Sequence, residues 1–253
     1  MIDVEHEISS TSREVGGRTL PPGEARTTSI SRTYDAGIDD LWDACTNPER
    51  IPRWFLPISG DLRPGGRYAF EGNASGTIER CEAPHSLDAT WEYGGQTSWV
   101  EVRLTPEPAG GTRFALEHIA HVEDELWAQY GPGAVGVGWD GAVMGLSLHL
   151  ASGGEPVDSE AVMAWQASEE GREFTRRSSE AWGEASIAFG MRRPAEALIP
   201  YATLATWCVL LLLLPVLHPD DVSGAGLWIA LMAALLALSL YALRIAVPER
   251  DNL

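Results

Sequence analysis

An α+β domain, an antiparallel sheet covered by a long helix, followed by a helical extension and two transmembrane helices, is the fold class this sequence predicts. Three observations predict it. Between Ile58 and His121, short segments rich in alternating residues are separated by glycine- and proline-containing turns, the pattern of consecutive antiparallel strands. From Ala134 to Ala151 the chain is apolar over much of a helical circumference, so that helix needs a large surface to cover it. From Ala197 to Leu243 the only charged residues are Asp220 and Asp221.

Taken in order, residues 1–26 are polar, carry Gly16-Gly17 and Pro21-Pro22-Gly23, and show neither hydrophobic period, so they are expected to be a flexible arm. Residues 27–151 are expected to form the domain. Thr27–Tyr34 alternates and is β-branched, the pattern of a first strand. Ile38, Leu41, Trp42 and Cys45 share one face of a short helix. Asn47-Pro48 opens a second, which Pro52 limits and which turns Ile51, Trp54 and Phe55 inward. Six further strands follow, the first two joined at Pro64-Gly65-Gly66 and the last two through residues 106–111. Gly131, Gly133, Gly136 and Gly138 would let the long helix approach the sheet closely. Residues 152–196 read as a helical extension with Trp165, Phe174, Trp182 and Phe189 inward and a division at Gly171.

Residues 197–217 and 222–243 are two uncharged runs, each long enough at 1.5 Å per residue to span a ~30 Å hydrocarbon core. Tyr201, Trp228 and Tyr241 lie near their ends, as interface aromatics do. Arg192, Arg193, Arg244 and Arg250 flank the pair on the outside and the connecting loop has no arginine. The positive-inside rule therefore predicts a cell-membrane hairpin with the N-terminal domain and the tail, residues 244–253, in the cytoplasm.

The net charge of −18 sits mostly before the hairpin and argues against nucleic acid as a partner. Every basic residue is arginine, which rules out Schiff-base lysine chemistry and a P-loop lysine. Three dispersed cysteines, Cys45, Cys81 and Cys208, form no disulfide framework.

The runs SRTYDAGIDDLWDACTNPERIPRWF, GDLRPGGRYAFEGNASGTIE, TWEYG, SWVEVRLTP and YGPGAVGVGWDGAVMGLSLHL occur in that order. Together they resemble the SRPBCC (START-like) superfamily, in the branch named after the activator of heat-shock ATPase. Gly37 stands where that branch often has proline. The resemblance implies a helix-grip fold with a deep cavity between a curved sheet and the long helix. Relatives use such cavities for lipids, hormones, polyketides and other apolar molecules, and the branch name comes from co-chaperones.

The residues themselves offer no persuasive catalytic constellation: GxSxG, HExxH and a phosphate-binding glycine loop are all missing. His118 and His121 would point to opposite faces of a strand, so a shared metal is not expected, and no cofactor is implied. His118 reads as a polar residue of cavity or core, with Glu117 facing away from it. Asp140 and His149 are too far apart along their helix to touch, whereas Glu71, Glu92 and Glu101 could converge only in a suitable strand register. Aromatic walls suit a pocket for apolar molecules, so the expected lining is Trp54, Phe55, Trp91, Trp99, His118, Trp127 and Trp139. The leading expectation is thus a membrane-tethered module binding an apolar small molecule or lipid. A module with a protein partner, such as a chaperone regulator, is the first alternative, and a cyclase- or hydrolase-type enzyme the second.

Overall fold

The computed structural model describes residues 2–21 and 23–190. The chain divides into two units at residue 191, and the second unit, with both apolar runs and the tail, lies outside the described residues. Among the described residues no helix is long and apolar enough to cross a membrane.

Eight antiparallel strands form one sheet: β1 (Ser12–Leu20), β2 (Gly23–Tyr34), β3 (Ile58–Gly60), β4 (Arg67–Phe70), β5 (Ser75–Glu82), β6 (Ser86–Tyr93), β7 (Gln96–Pro106) and β8 (Thr112–Ala120). Their spatial order is β1-β2-β8-β7-β6-β5-β4-β3. Six helices accompany them: α1 (Val4–Ser9), α2 (Ile38–Thr46), α3 (Asp124–Tyr130), α4 (Gly133–Ala151), α5 (Ser159–Ala167) and α6 (Glu169–Ala188).

The period of two decides which side chains meet. Val100 stands opposite His118 and Ala89, Val102 opposite Leu116 and Leu87, and Ile30 opposite Leu116. These residues form the concave, covered face, while Glu101, Glu117, Arg103 and Asp88 fall on the other, charged face, where Arg103 pairs with Asp88 and Glu101. Such alternation is what an antiparallel sheet with one wet face requires.

Helix α4 crosses the concave face with Trp139, Val143 and Leu146 in the core beside Ile30, Tyr34, Leu41, Phe114 and Leu116. It is buried on more than one side because α6 packs against it as well. Gly136 makes that second contact: a β-carbon there would lie 2.3 Å from the Trp182 ring. The close approach therefore faces α6, and not the sheet as the sequence suggested. Burying a helix that is apolar over much of its circumference took two partners, sheet and extension.

Three expectations need correction. Residues 1–26 are not an arm: α1 and β1 are built from them, and Leu20 of β1 pairs with Gly23 of β2. The sheet accordingly has eight strands, one more than expected. The helix expected after Asn47 shrinks to one 3-10 turn, Ile51–Arg53, because Pro52 has no N–H to continue it. The extension breaks at Ser168, which caps α6 through the Gly171 N–H, three residues before the expected glycine. Phe174 and Trp182 are buried as expected, whereas Phe189 is 40% exposed.

Candidate functional site

A cavity of about 130 Å³ lies inside the grip, between the concave face of β4–β8 and the segment that links α2 to β3. A smaller void of about 30 Å³ adjoins it beneath α4, sharing Trp54, Phe55 and Trp139. Its rings form a continuous series. Trp54 and Phe55 have centroids 5.6 Å apart, Phe55 meets Phe70 edge-on at 5.0 Å, Phe70 meets Trp91 at 5.6 Å, and Trp91 meets Trp139 at 5.1 Å. Such tilted and edge-on pairs add attraction beyond the area they bury. They also fill the grip, so the deep cavity implied by the resemblance is here a small one.

The polar atoms of this wall are mostly turned away from it. Trp54 Nε1 donates to the Ala44 carbonyl at 2.9 Å, Tyr68 Oη to the Thr90 carbonyl at 2.7 Å, and Thr46 Oγ1 to the Trp42 carbonyl at 2.7 Å. Trp139 Nε1 donates to His118 Nδ1 at 3.1 Å. An indole N–H only donates, so His118 Nδ1 carries no proton and Nε2 must. Nε2 then donates to Ser98 Oγ at 2.8 Å, and the Ser98 hydroxyl donates to the Trp91 carbonyl at 3.0 Å. His118 thereby stands behind the wall and fixes the two tryptophans that form it. The Trp91 indole N–H has no protein acceptor among the described residues.

Four of the seven sequence-predicted residues, Trp54, Phe55, Trp91 and Trp139, meet around the cavity. His118 backs them without lining it. Trp99 does not join them: it alternates with Val100 onto the outer face, where its ring lies 5.8 Å from His121. Trp127 is buried elsewhere, on α3, with the Arg26 guanidinium 5.9 Å above its ring. Sequence reasoning missed Phe70, Cys45 and Cys81, all on the lining. Phe70 could have been found, since it stands two residues from Tyr68 on the same, buried face of β4.

The carboxylates converge away from the cavity. Glu101 and Glu117 are register partners on the outer face, and Arg18 bridges them at 2.7 and 3.4 Å. Glu92 pairs with Arg67 at 2.7 Å, and Glu71 is exposed after β4. Asp140 and His149 stay apart, as expected. Asp140 accepts from Arg13, Ser178 and Trp182, and His149 bonds the Glu155 carbonyl and faces Arg50. A larger hollow of about 720 Å³ between α1 and the start of α6 is lined by Asp3, Glu169, Glu170, Glu173, Arg172 and Arg176. Open and charged, it offers no apolar enclosure.

Residues 35–151 match the sequence model of the family described as Activator of Hsp90 ATPase homolog 1-like protein. The crystal structure of CalU16 from Micromonospora echinospora is 39% identical, with a TM-score of 0.55 over 69% of this chain and 97% of that one. Its solution NMR structure gives 39% identity and a TM-score of 0.59 over 71% and 96%. The chain belongs to the Activator of Hsp90 ATPase homolog 1-like family. No curated protein matches it.

Within this AHSA1-like domain the family match begins at Asp35, just after β2. The strands β1 and β2, and the helices α5 and α6, are therefore contributed by flanking sequence. Desolvation governs the titratable groups of the site. It pushes the Cys45 thiol up to about 12, against a smaller opposing pull from Arg50, and raises Cys81 and Tyr68 as well. Both thiols thus stay protonated and weakly nucleophilic near neutral pH. Burial also brings His118 down to about 4, which agrees with the neutral ring that Trp139 demands. Among the described residues no group of three or more His, Cys, Asp or Glu is placed to hold a metal ion.

Proposed function

We propose that this AHSA1-like domain binds a small, largely apolar molecule between its sheet and α4. The observation that carries this reading is the wall itself: stacked rings and aliphatic side chains whose hydroxyl and indole donors, Trp91 apart, are already bonded into the protein. A volume of about 130 Å³ is close to the ~150 Å³ of a dry engineered cavity that takes up benzene. The ligand class it fits is a one- or two-ring aromatic or a short hydrocarbon. Protonated thiols and the lack of a paired acid and base on the lining support holding such a molecule rather than transforming it.

The two uncharged runs at 197–217 and 222–243 support a membrane tether with the domain on the cytoplasmic side. Tethering would keep the cavity beside a reservoir of apolar molecules. The full chain is expected in the membrane pellet, resistant to carbonate and released by detergent; recovery in the supernatant without detergent would remove the tether.

Binding is tested with naphthalene, read by quenching of tryptophan fluorescence and by native mass spectrometry. Saturable binding to the wild type and its loss in Ala89→Leu, which fills the cavity floor, are expected. An unfilled wild type at saturating naphthalene would end this reading. A second reading, contact with an ATPase of the Hsp90 class, is favoured by the family match. It predicts capture that Ala89→Leu leaves unchanged.

A further inference from the structure

Strand β1 ends the sheet, and among the described residues it pairs with β2 alone. Its nine residues, SREVGGRTL, contain no proline, so every second residue presents an N–H and a C=O outward along the open edge. Among the described residues the extension contributes no strand to that edge. Arg13, on the concave side of β1, reaches Asp140 together with Ser178 and Trp182 of α6, which places α6 against the face of β1. A long unpaired edge of this kind is a template for another strand.

The charge pattern says which strand fits. A second copy added edge to edge, with both concave faces on the same side, is related by a twofold axis perpendicular to the sheet. Residues of equal facing must then oppose one another, which restricts the axis to a residue position. At Glu14 or Arg18 the axis would set like charges against each other. At Val15 or Gly17 it would leave Glu14 without a cation. At Gly16 the whole of β1 overlaps with its partner, Ser12 opposite Leu20, and Glu14 of each copy stands opposite Arg18 of the other, twice. Glu14 is exposed, and the Arg18 side chain keeps 41% of its surface despite its contacts with Glu101 and Glu117. Gly16 itself has no side chain to obstruct the crossing point.

We propose that two copies of this chain associate through β1, antiparallel about a twofold axis at Gly16, to form one continuous sheet. The inference is independent of what the cavity holds. Within one strand Glu14 and Arg18 lie four residues apart, roughly 13 Å at strand rise, and do not touch. Compensation between them therefore reports contact between copies.

Sedimentation velocity of the purified full chain in detergent is expected to show a dimer of the protein component. Glu14→Arg should raise the dimer dissociation constant by roughly tenfold or more, and the exchange E14R with R18E should restore it. Circular dichroism verifies that each variant is folded. Because R18E crowds Glu101 and Glu117, hydrogen exchange on the wild type gives a second readout: amides of β1 should lose protection on dilution through the dimer range while those of β7 do not. A monomer at tens of micromolar, a dimer indifferent to Glu14→Arg, a folded exchange variant that stays monomeric, or β1 protection unchanged by dilution would each overturn the proposal.

Discussion

A single imidazole fixes much of the geometry of the cavity wall. His118 accepts from Trp139 through Nδ1 and donates through Nε2 to Ser98, which in turn holds the Trp91 carbonyl. A second proton on Nδ1 would set two donors face to face in a desolvated site, and burial accordingly brings this histidine from 6.5 down to about 4. In the unfolded chain the ring takes up its proton near 6.5, so between about 6.5 and 4 only the unfolded state gains one. The contribution is full above 6.5 and is lost as pH falls toward 4, by on the order of 3 kcal/mol. Urea unfolding followed at pH 7.5 and pH 4.5 should show this loss, and His118→Leu should flatten the profile while costing about 1–3 kcal/mol at pH 7.5, because the Trp139 N–H loses its acceptor. A wild-type midpoint that does not move across that range would refute the assignment. Part of this was legible beforehand. That His118 belongs to the interior and Glu117 does not follows from strand alternation. Trp99 could have been excluded by the same rule, since Val100, Val102 and Leu104 mark the inner face of β7 and leave Trp99 with Glu101 and Arg103. What alternation could not supply is the partner of His118, because Trp139 arrives from a helix with no fixed register to the strand.

Helix α4 was read correctly as an element and incorrectly as to what its glycines face. Its apolar circumference called for cover on several sides, and the sequence offered only the sheet as an obvious cover. The second cover is α6, whose Trp182 is fully buried against Gly136. The glycines of α4 therefore divide by function. Gly136 is a contact, since its added β-carbon would sit 2.3–2.6 Å from the Trp182 indole, a rigid bicyclic group. Gly138, one half-turn on, is exposed and has nothing within 4 Å of such a carbon. Gly136→Ala is expected to destabilise the domain by about 1–3 kcal/mol through overpacking. Gly138→Ala should stabilise it by about 0.5–1 kcal/mol, the ordinary helical preference of alanine. Thermal unfolding of the two variants side by side decides the matter: equal shifts of the same sign would mean that the α4–α6 contact is not as close as described.

For the molecule as a whole, the family-matched segment, residues 35–151, is not the unit that folds. Of two buried ion pairs made by the residues before it, one joins β2 to α1 outside the segment and the other crosses its boundary. Arg32 of β2 meets Glu7 of α1 at 2.5 Å, and Arg13 of β1 meets Asp140 of α4 at 2.7 Å, with all four side chains under 10% exposed. These pairs also explain why the first 26 residues look structureless in the sequence. A strand is recognised by apolar residues on its buried face, whereas β1 places Arg13 there beside Val15 and Gly17, and a charged residue on the inner face breaks the alternation. The compensating acid, Asp140, lies 127 residues away, so no local reading could join them. Removing one member of a buried pair typically costs ~3–5 kcal/mol, since the other charge stays desolvated and alone. A fragment of residues 35–151 loses Arg13 opposite Asp140, and it also loses Ser178 and Trp182, the other two donors to that carboxylate. Three lost donors to one buried carboxylate rival the whole stability of an ordinary domain. The fragment should therefore be insoluble or lack cooperative unfolding, whereas residues 2–190 should unfold in one transition, as seen by circular dichroism with urea. Restoring only residues 2–34 should not suffice, because Asp140 would regain Arg13 but not its partners on α6. A cooperative, soluble 35–151 fragment would show that strand pairing and the aromatic core carry the fold without these buried charges.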